Sequence, residues 1–240
     1  MFSQRLCLNL VDKLMNFIKV KDSYPMSSAY RACKSIASYG KNRNEEFIGI
    51  SYSMVATQDA AKAFEIVQEQ YRKHFYLALM EINTFIPPHI DTGVLASINF
   101  YIKPDNCLTQ FYRFLDGKTS KKADADGQIF DLAGLECTDS FVAGKDSVYL
   151  LDTSVPHAVW GDANKETQDT QMGLLKLFET AKVDTQFDLA RKDLSNPPVI
   201  KDKNGNVINL PNAYKDTNRI ALCLQTIKFE FLDVANMLTK

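Results

Sequence analysis

The sequence predicts a mainly β fold with helices, in which a β-rich core follows a helical N-terminal part. The pattern of apolar residues changes near Phe75. Before that point apolar residues recur every three or four positions, as on one face of a helix. After it come short runs rich in aromatic and β-branched residues, bounded by turn residues, which are typical of strands. With 240 residues, 45% of them apolar, the chain is long enough to bury one sizeable core, and we expect a single domain over residues 1–240.

Three helices are predicted in the N-terminal part, residues 1–74. The first rests on apolar residues at helical spacing: Leu6, Leu10, Leu14, Phe17 and Ile18. The second covers about residues 27–38 and ends near Gly40, a residue that commonly stops helices. The third lies within residues 57–76, where Thr57 and Asp59 are suitable N-terminal caps. We expect these helices to pack on the β core.

The predicted core covers residues 75–231. Its strand-like runs are FYLALMEINTFI, VLASINFYIKP, LTQFYRFL, DSVYLLDT and RIALCLQTIKFEFL. Between the last two lies a mixed segment, about residues 161–218, which reads as an insertion. Within the insertion, Asn204-Gly205 predicts the turn of a β-hairpin, since both residues accept left-handed backbone angles.

Composition narrows the possible partners and location. The 28 basic and 29 acidic residues give a net charge of −1, which disfavours nucleic acid as a partner because phosphate binding needs clustered cations. Five cysteines without a CxxC pair do not form a disulfide framework, so a reducing compartment, the cytoplasm, is predicted. No run reaches the roughly 20 apolar residues that cross a membrane, and charges interrupt the N-terminal segment that a signal peptide would need.

Two of the three histidines stand where a metal site could form. His89 and Asp91 are two positions apart, so on an extended segment both side chains face the same side. His157 follows the strand-like run DSVYLLDT and could complete a set of two imidazoles and one carboxylate. That ligand set leaves coordination positions open and suits Fe(II) in oxygen chemistry. His74, within YRKHFY, has no such context and reads as a boundary histidine.

Beyond this set of candidate metal ligands, the chain resembles the Fe(II)- and 2-oxoglutarate-dependent oxygenases. The resemblance rests on PPHIDTG, SINFYIKP, LTQFYR, GKDSVYLLDTSVPHAVWG and NRIALCLQ, and it covers about residues 75–231. It implies a double-stranded β-helix, a jelly-roll or cupin-like fold. It further implies that Fe(II) is held by His89, Asp91 and His157. Arg219 would pair with the distal carboxylate of 2-oxoglutarate, with added polar contacts from Asn99, Tyr101 or Tyr112.

The family resemblance implies a dioxygenase, most simply a hydroxylase, that uses O2 and 2-oxoglutarate on a further substrate. Protein side chains, nucleobases and small metabolites all remain open as that substrate. Two departures affect the cosubstrate residues: Ala221 stands where the family often has serine, and Arg219 is far from His157 in sequence. Arg113 is therefore a rival cation. The alternatives are a cupin-type metal-binding barrel without enzymatic activity, acting as a binding or structural module, and a metal-dependent hydrolase or isomerase.

Overall fold

The computed structural model describes ten parts of the chain. They are residues 15–37, 50–55, 60–82, 85–91, 93–117, 130, 132–161, 200–201, 207–208 and 219–239. The predicted helical positions Leu6, Leu10 and Leu14, the polar segment at residues 118–129 and most of the predicted insertion lie outside them.

The described residues form twelve strands and three α-helices. The strands are β1 (Phe17–Lys21), β2 (Ile50–Val55), β3 (Tyr76–Ile82), β4 (Ile86–His89), β5 (Ala96–Lys103), β6 (Leu108–Phe114), β7 (Leu135–Val142), β8 (Val148–Asp152), β9 (His157–Trp160), β10 (Ile200–Lys201), β11 (Val207–Ile208) and β12 (Arg219–Thr226). The helices are α1 (Ser27–Ala37), α2 (Ala61–Phe64) and α3 (Phe231–Met237). Short 3-10 turns span Glu69–His74 and Leu132–Gly134.

Two antiparallel sheets make up the core. The larger has the order β1-β8-β5-β12-β3-β2, and the smaller has the order β4-β9-β6-β7. The chain passes repeatedly between them, so that β12 pairs with both β3 and β5, and β9 pairs with both β4 and β6. This interleaving of distant strands is a jelly roll, the double-stranded β-helix that the family resemblance implies.

Each strand of the large sheet has one face toward the helices and one toward the small sheet. On β12, Leu222 and Leu224 belong to the core cluster that includes Ala29 of α1 and Val234 of α3. Ala221 and Cys223 point the other way and cluster with Phe111 of the small sheet. Alternation along the strands therefore separates a helix-packed outer face from an inner face that lies between the sheets. Helices pack on the core as predicted, and the inner face carries the candidate site.

The prediction for residues 1–74 is partly wrong. α1 confirms the second helix, but residues 17–21 and 50–55 are strands. Phe17 and Ile18 also fit an alternating pattern, and β1 pairs with β8, whose Leu151 lies far away in sequence. Local spacing alone could not reveal that partner. The predicted third helix is interrupted, because the backbone at Gln68 takes an extended ψ of 139° before the 3-10 turn.

Two short strands flank the predicted hairpin turn. β10 and β11 pair antiparallel, with Ile200 opposite Ile208 and Lys201 opposite Val207. The turn itself, Asn204-Gly205, lies outside the described residues. That residues 161–218 are an insertion within one domain of residues 1–240 stays a prediction. In the part of the chain that the structure describes, no helix has the length and apolar character of a membrane span.

Candidate metal centre and neighbouring cation

The antiparallel pairing of β4 with β9 brings two histidines together. His89 and His157 are direct cross-strand partners, and their ring centroids lie 4.4 Å apart. Both side chains are buried, with 5% and 6% of their residue surface exposed. Asp91 lies just beyond the end of β4, where its backbone N–H donates to the carbonyl of Thr153. Three potential metal ligands thus meet where two strands of the small sheet end.

The ring nitrogens of both histidines are oriented for metal binding. Nδ1 of His89 lies 2.8 Å from the carbonyl oxygen of Pro87, and Nδ1 of His157 lies 3.0 Å from that of Val155. A carbonyl oxygen only accepts, so each Nδ1 carries the proton and each Nε2 presents a lone pair. These Nε2 atoms lie 3.2 and 3.7 Å from Oδ1 of Asp91. Backbone carbonyls that fix the tautomer in this way are typical outer partners of metal-bound histidine.

The donor set fits a divalent metal ion. The ligand atoms of His89, Asp91 and His157 all lie within 4.8 Å of one another. A cation bound between the three donors would offset the repulsion between their lone pairs. Burial, reinforced by the adjacent His89, lowers the pKa of His157 to about 4, so its imidazole is neutral at neutral pH. A neutral imidazole is the form that binds metal.

A buried arginine lies on the same inner face. Arg219, at the start of β12, is only 1% exposed. Its guanidinium donates to the Thr109 hydroxyl at 3.0 Å and to the Tyr101 hydroxyl at 2.6 Å, and it lies 4.6 Å from the centroid of the Tyr101 ring. Its Nε has no hydrogen-bond partner, and among the described residues no carboxylate lies within ion-pair distance of it. Within the described part of the chain, this buried cation therefore has no neutralising side chain.

The structure brings some of the predicted cosubstrate residues to Arg219 and leaves others elsewhere. Asn99 shares the inner face of β5 with Tyr101 and is 4% exposed. Tyr112 lies on the opposite face of β6, where its hydroxyl donates to Gln110 and accepts from Trp160. Tyr112 is three residues after Thr109 on β6, so its side chain points to the opposite face of the sheet. Tyr112 is therefore not brought to Arg219.

The rival cation Arg113 lies outside the core. Its side chain is 67% exposed and forms an ion pair with Glu136 at 2.6 Å. A guanidinium that is exposed and already paired with a carboxylate attracts a buried anion only weakly. Of the two arginines, only Arg219 faces the space between the sheets.

Thr109 is a residue that the sequence-based prediction of the site omitted. It is 1% exposed and shares the inner face of β6 with Phe111, the cross-strand partner of His157. The sequence could have indicated it, since Thr109 and Phe111 are the threonine and phenylalanine of LTQFYR, one of the segments that carry the family resemblance. Only the fold, however, shows that the Thr109 hydroxyl accepts from Arg219.

Comparisons with known proteins give distant structural likenesses. No protein-family model and no curated sequence matches the chain. HygX from Streptomyces hygroscopicus, solved with nickel and 2-oxoglutarate, is 9% identical, with 95% of this chain and 89% of that chain covered and a TM-score of 0.44. A Pseudomonas putida prolyl-4-hydroxylase is 9% identical, with 89% and 92% covered and a TM-score of 0.39. Vicilin from Corylus avellana is 8% identical, with 78% of this chain but only 30% of that chain covered and a TM-score of 0.33. At these TM-scores the likenesses carry no weight for function, which rests on the residues of this chain.

Proposed function

We propose that the chain is an Fe(II)- and 2-oxoglutarate-dependent dioxygenase that hydroxylates a second substrate. His89, Asp91 and His157 would hold the metal, and Arg219 would bind the distal carboxylate of 2-oxoglutarate. The observation that carries the proposal is the buried Arg219, which has no carboxylate partner among the described residues and, from the large sheet, faces the same space between the sheets as the candidate ligands of the small sheet.

The environment of Arg219 favours an anionic ligand. A buried charge costs several kcal/mol unless it is paired, so an unpaired guanidinium in a core indicates that an anion completes it. The hydroxyls of Thr109 and Tyr101 accept two of its N–H groups and fix its orientation. A planar guanidinium held in this way matches the two oxygens of a carboxylate.

The spacing along β6 relates the cation to the metal ligands. Thr109 contacts Arg219, and Phe111, two residues further on, is opposite His157. Two residues on a strand are separated by roughly 7 Å. A short dicarboxylate can bridge such a distance, with one end at Arg219 and the other near the ligands.

The residues supply binding, orientation and exclusion of water. Bound Fe(II) would supply the activation of O2 and two positions for the keto-acid end of 2-oxoglutarate. The aromatic rings of Phe111, Phe141 and Tyr149 pack together on the inner face and keep it apolar. In the overall reaction, 2-oxoglutarate, O2 and a C–H group become succinate, CO2 and an alcohol. One oxygen atom enters succinate and the other enters the product.

Turnover of 2-oxoglutarate without a second substrate tests the proposal. The full chain, supplied with Fe(II), 2-oxoglutarate and air, is expected to release succinate slowly. Asp91→Ala should abolish this release, whereas Asp22→Ala, which removes a surface carboxylate paired with Lys19, should not. A chain that binds metal and 2-oxoglutarate but forms no succinate would instead be the non-enzymatic cupin-type module. Hydrolase or isomerase activity that needs no O2 would also contradict the proposal.

A further inference from the structure

An unpaired amide marks a second polar position on the inner face. Gln225, near the end of β12, is 5% exposed, and its Oε1 is buried with no hydrogen-bond partner among the residues that the structure describes. It shares the inner face of β12 with Arg219 and Cys223, since all three are separated by even numbers of residues. A buried acceptor that lacks a donor is destabilising, so native proteins retain few of them without a reason.

The strand register places Gln225 at the opposite end of the inner face from Arg219. Gln225 is the cross-strand partner of Tyr76 on β3 and of Ser97 on β5, whereas Arg219 is opposite Ile82 at the other end of β3. The start of β5 also follows closely on Asp91, and the backbone N–H of Leu95, just before β5, donates to the carbonyl of Thr226. Gln225 therefore lies on the Asp91 side of the sheet.

Two tyrosines share this region. Tyr76 is opposite Gln225, and Tyr52 on β2 is opposite Met80. Met80 lies four residues after Tyr76 in the chain, on the same face of β3. Burial raises the pKa of Tyr76 to about 12 and raises that of Tyr52 further, and the carboxylate of Asp91 adds to both shifts. Both phenols are partly buried and uncharged at neutral pH, and the strand register places them on the same face as Gln225.

The residues between them are small. Ala78 and Cys223 are cross-strand partners, and they separate the pair Tyr76–Gln225 from the pair Tyr52–Met80. Because small side chains extend little from a sheet, the larger neighbours reach furthest into the space between the sheets. Among the described residues, the polar side chains of this part of the inner face are the Gln225 amide, the two phenols, and Ser97 and Asn99, which already hydrogen-bond to each other.

We propose that Gln225, with Tyr52 and Tyr76, forms the subsite for the second substrate and binds it through a neutral N–H or O–H group that donates to Gln225 Oε1. This inference rests on the proposed function, since it takes the Arg219 end of the face as the 2-oxoglutarate end. An amide or a hydroxyl beside an apolar or flat body fits the two rings. An ammonium group does not fit, because desolvating it in this poorly hydrated region is costly.

Four probes with one common ring test the substrate class: benzamide, benzyl alcohol, benzylamine and benzoate. Their binding to the full chain, loaded with Zn(II) and 2-oxoglutarate, is measured by ligand-observed NMR titration. Benzamide and benzyl alcohol are expected to bind, and benzylamine and benzoate to bind at least several-fold more weakly. Gln225→Met should weaken the binding of benzamide about two- to tenfold, the size of one neutral hydrogen bond.

The matched control is Gln110→Met. Gln110 lies on the outer face of β6, where its Oε1 accepts from Tyr112, so its loss should leave benzamide binding unchanged. Should Gln225→Met fail to fold, the side-chain amide NMR signal of Gln225 in the unmutated protein provides a second readout. It must shift when benzamide is added.

Three results would overturn the subsite: equal benzamide binding by Gln225→Met and the unmutated chain, tightest binding by benzylamine or benzoate, or no binding by any probe. An unshifted amide signal has the same meaning. Failure of the proposed function is distinguishable, because the unmutated chain would then form no succinate, whether or not it binds 2-oxoglutarate. Failure of the subsite alone leaves both of those properties intact.

Discussion

His89 and His157 are cross-strand partners whose ring centroids lie 4.4 Å apart, and the Nε2 atoms of both approach the same oxygen of Asp91. Two imidazolium rings at this distance would repel each other strongly, whereas two neutral rings can share one metal cation. The carbonyls of Pro87 and Val155 hold the Nδ1 protons away from the shared centre. The pairing of β4 with β9 thus prepares a ligand set before any metal binds.

Removing the carboxylate should eliminate tight metal binding. In Asp91→Ala, two imidazoles remain without their anionic partner. We expect metal affinity to fall by more than about a hundredfold, since loss of even an outer-sphere partner costs 10–100-fold. Metal content after reconstitution and dialysis measures this, with Asp22→Ala as the surface control. Full metal occupancy in Asp91→Ala would show that Asp91 is not a ligand.

Replacing the buried arginine should weaken binding of 2-oxoglutarate. A charge-assisted pair is worth roughly 1.5–3 kcal/mol, so Arg219→Met should raise the Kd about ten- to a hundredfold. Metal content should stay unchanged. Arg113→Met is the matched control, because Arg113 is exposed and paired with Glu136. Equilibrium dialysis with labelled 2-oxoglutarate measures both variants. The reverse ranking would transfer the role to Arg113.

The hydroxyl of Thr109 should act through Arg219. In Thr109→Val the shape is kept but one guanidinium N–H loses its acceptor. We expect the Kd of 2-oxoglutarate to rise about two- to tenfold, the size of one hydrogen bond. When Thr109→Val is combined with Arg219→Met, it should cause no further rise in Kd. Thr138→Val is the control, since the Thr138 hydroxyl donates to the carbonyl of Phe111 and does not contact Arg219. Additive effects of Thr109→Val and Arg219→Met would show that the two residues act independently.

The buried thiol of Cys223 should make stability fall at high pH. Burial raises its pKa from 9.0 to about 12. The unfolded chain loses this proton near pH 9, while the folded chain keeps it. The contribution of the thiol to the free energy of unfolding is therefore complete below pH 9 and is lost between about pH 9 and 12. Cys223→Ala should reduce the slope of unfolding free energy against pH by up to about 1.4 kcal/mol per unit.

Denaturant titrations between pH 8 and pH 10 measure that slope. The control is Cys137→Ala, because Cys137 is exposed and should change the slope less. Parallel pH profiles for Cys223→Ala and the unmutated chain would contradict the prediction.

Patterns confined to one strand predicted the core well. The alternation in RIALCLQ placed Arg219, Ala221 and Cys223 on one face, and the clusters of the structure agree. The same alternation separates Tyr112 from Thr109, so the position of Tyr112 could have been predicted from its spacing. What spacing cannot give is the partner of a strand. β1 pairs with β8, and nothing near Phe17 in the sequence indicates this.

The polar details of the inner face depend on several strands at once. The contact between Thr109 and Arg219 joins β6 to β12, and it requires both sheets in place. Whether Oε1 of Gln225 has a donor depends on the side chains of all the strands around it, and among the described residues it has none. A glutamine in LCLQT is ordinary as a sequence feature. Its burial without a partner comes from the packing of the two sheets.

We propose that His89, Asp91, His157 and Arg219 form one site for 2-oxoglutarate. Isothermal titration calorimetry of 2-oxoglutarate, with and without Ni(II) as a redox-inert substitute for Fe(II), tests this proposal. We predict that the metal tightens binding by at least about tenfold in the unmutated chain, and that this gain disappears in Asp91→Ala. Identical affinity with and without metal, or no binding of 2-oxoglutarate in either case, would contradict the account.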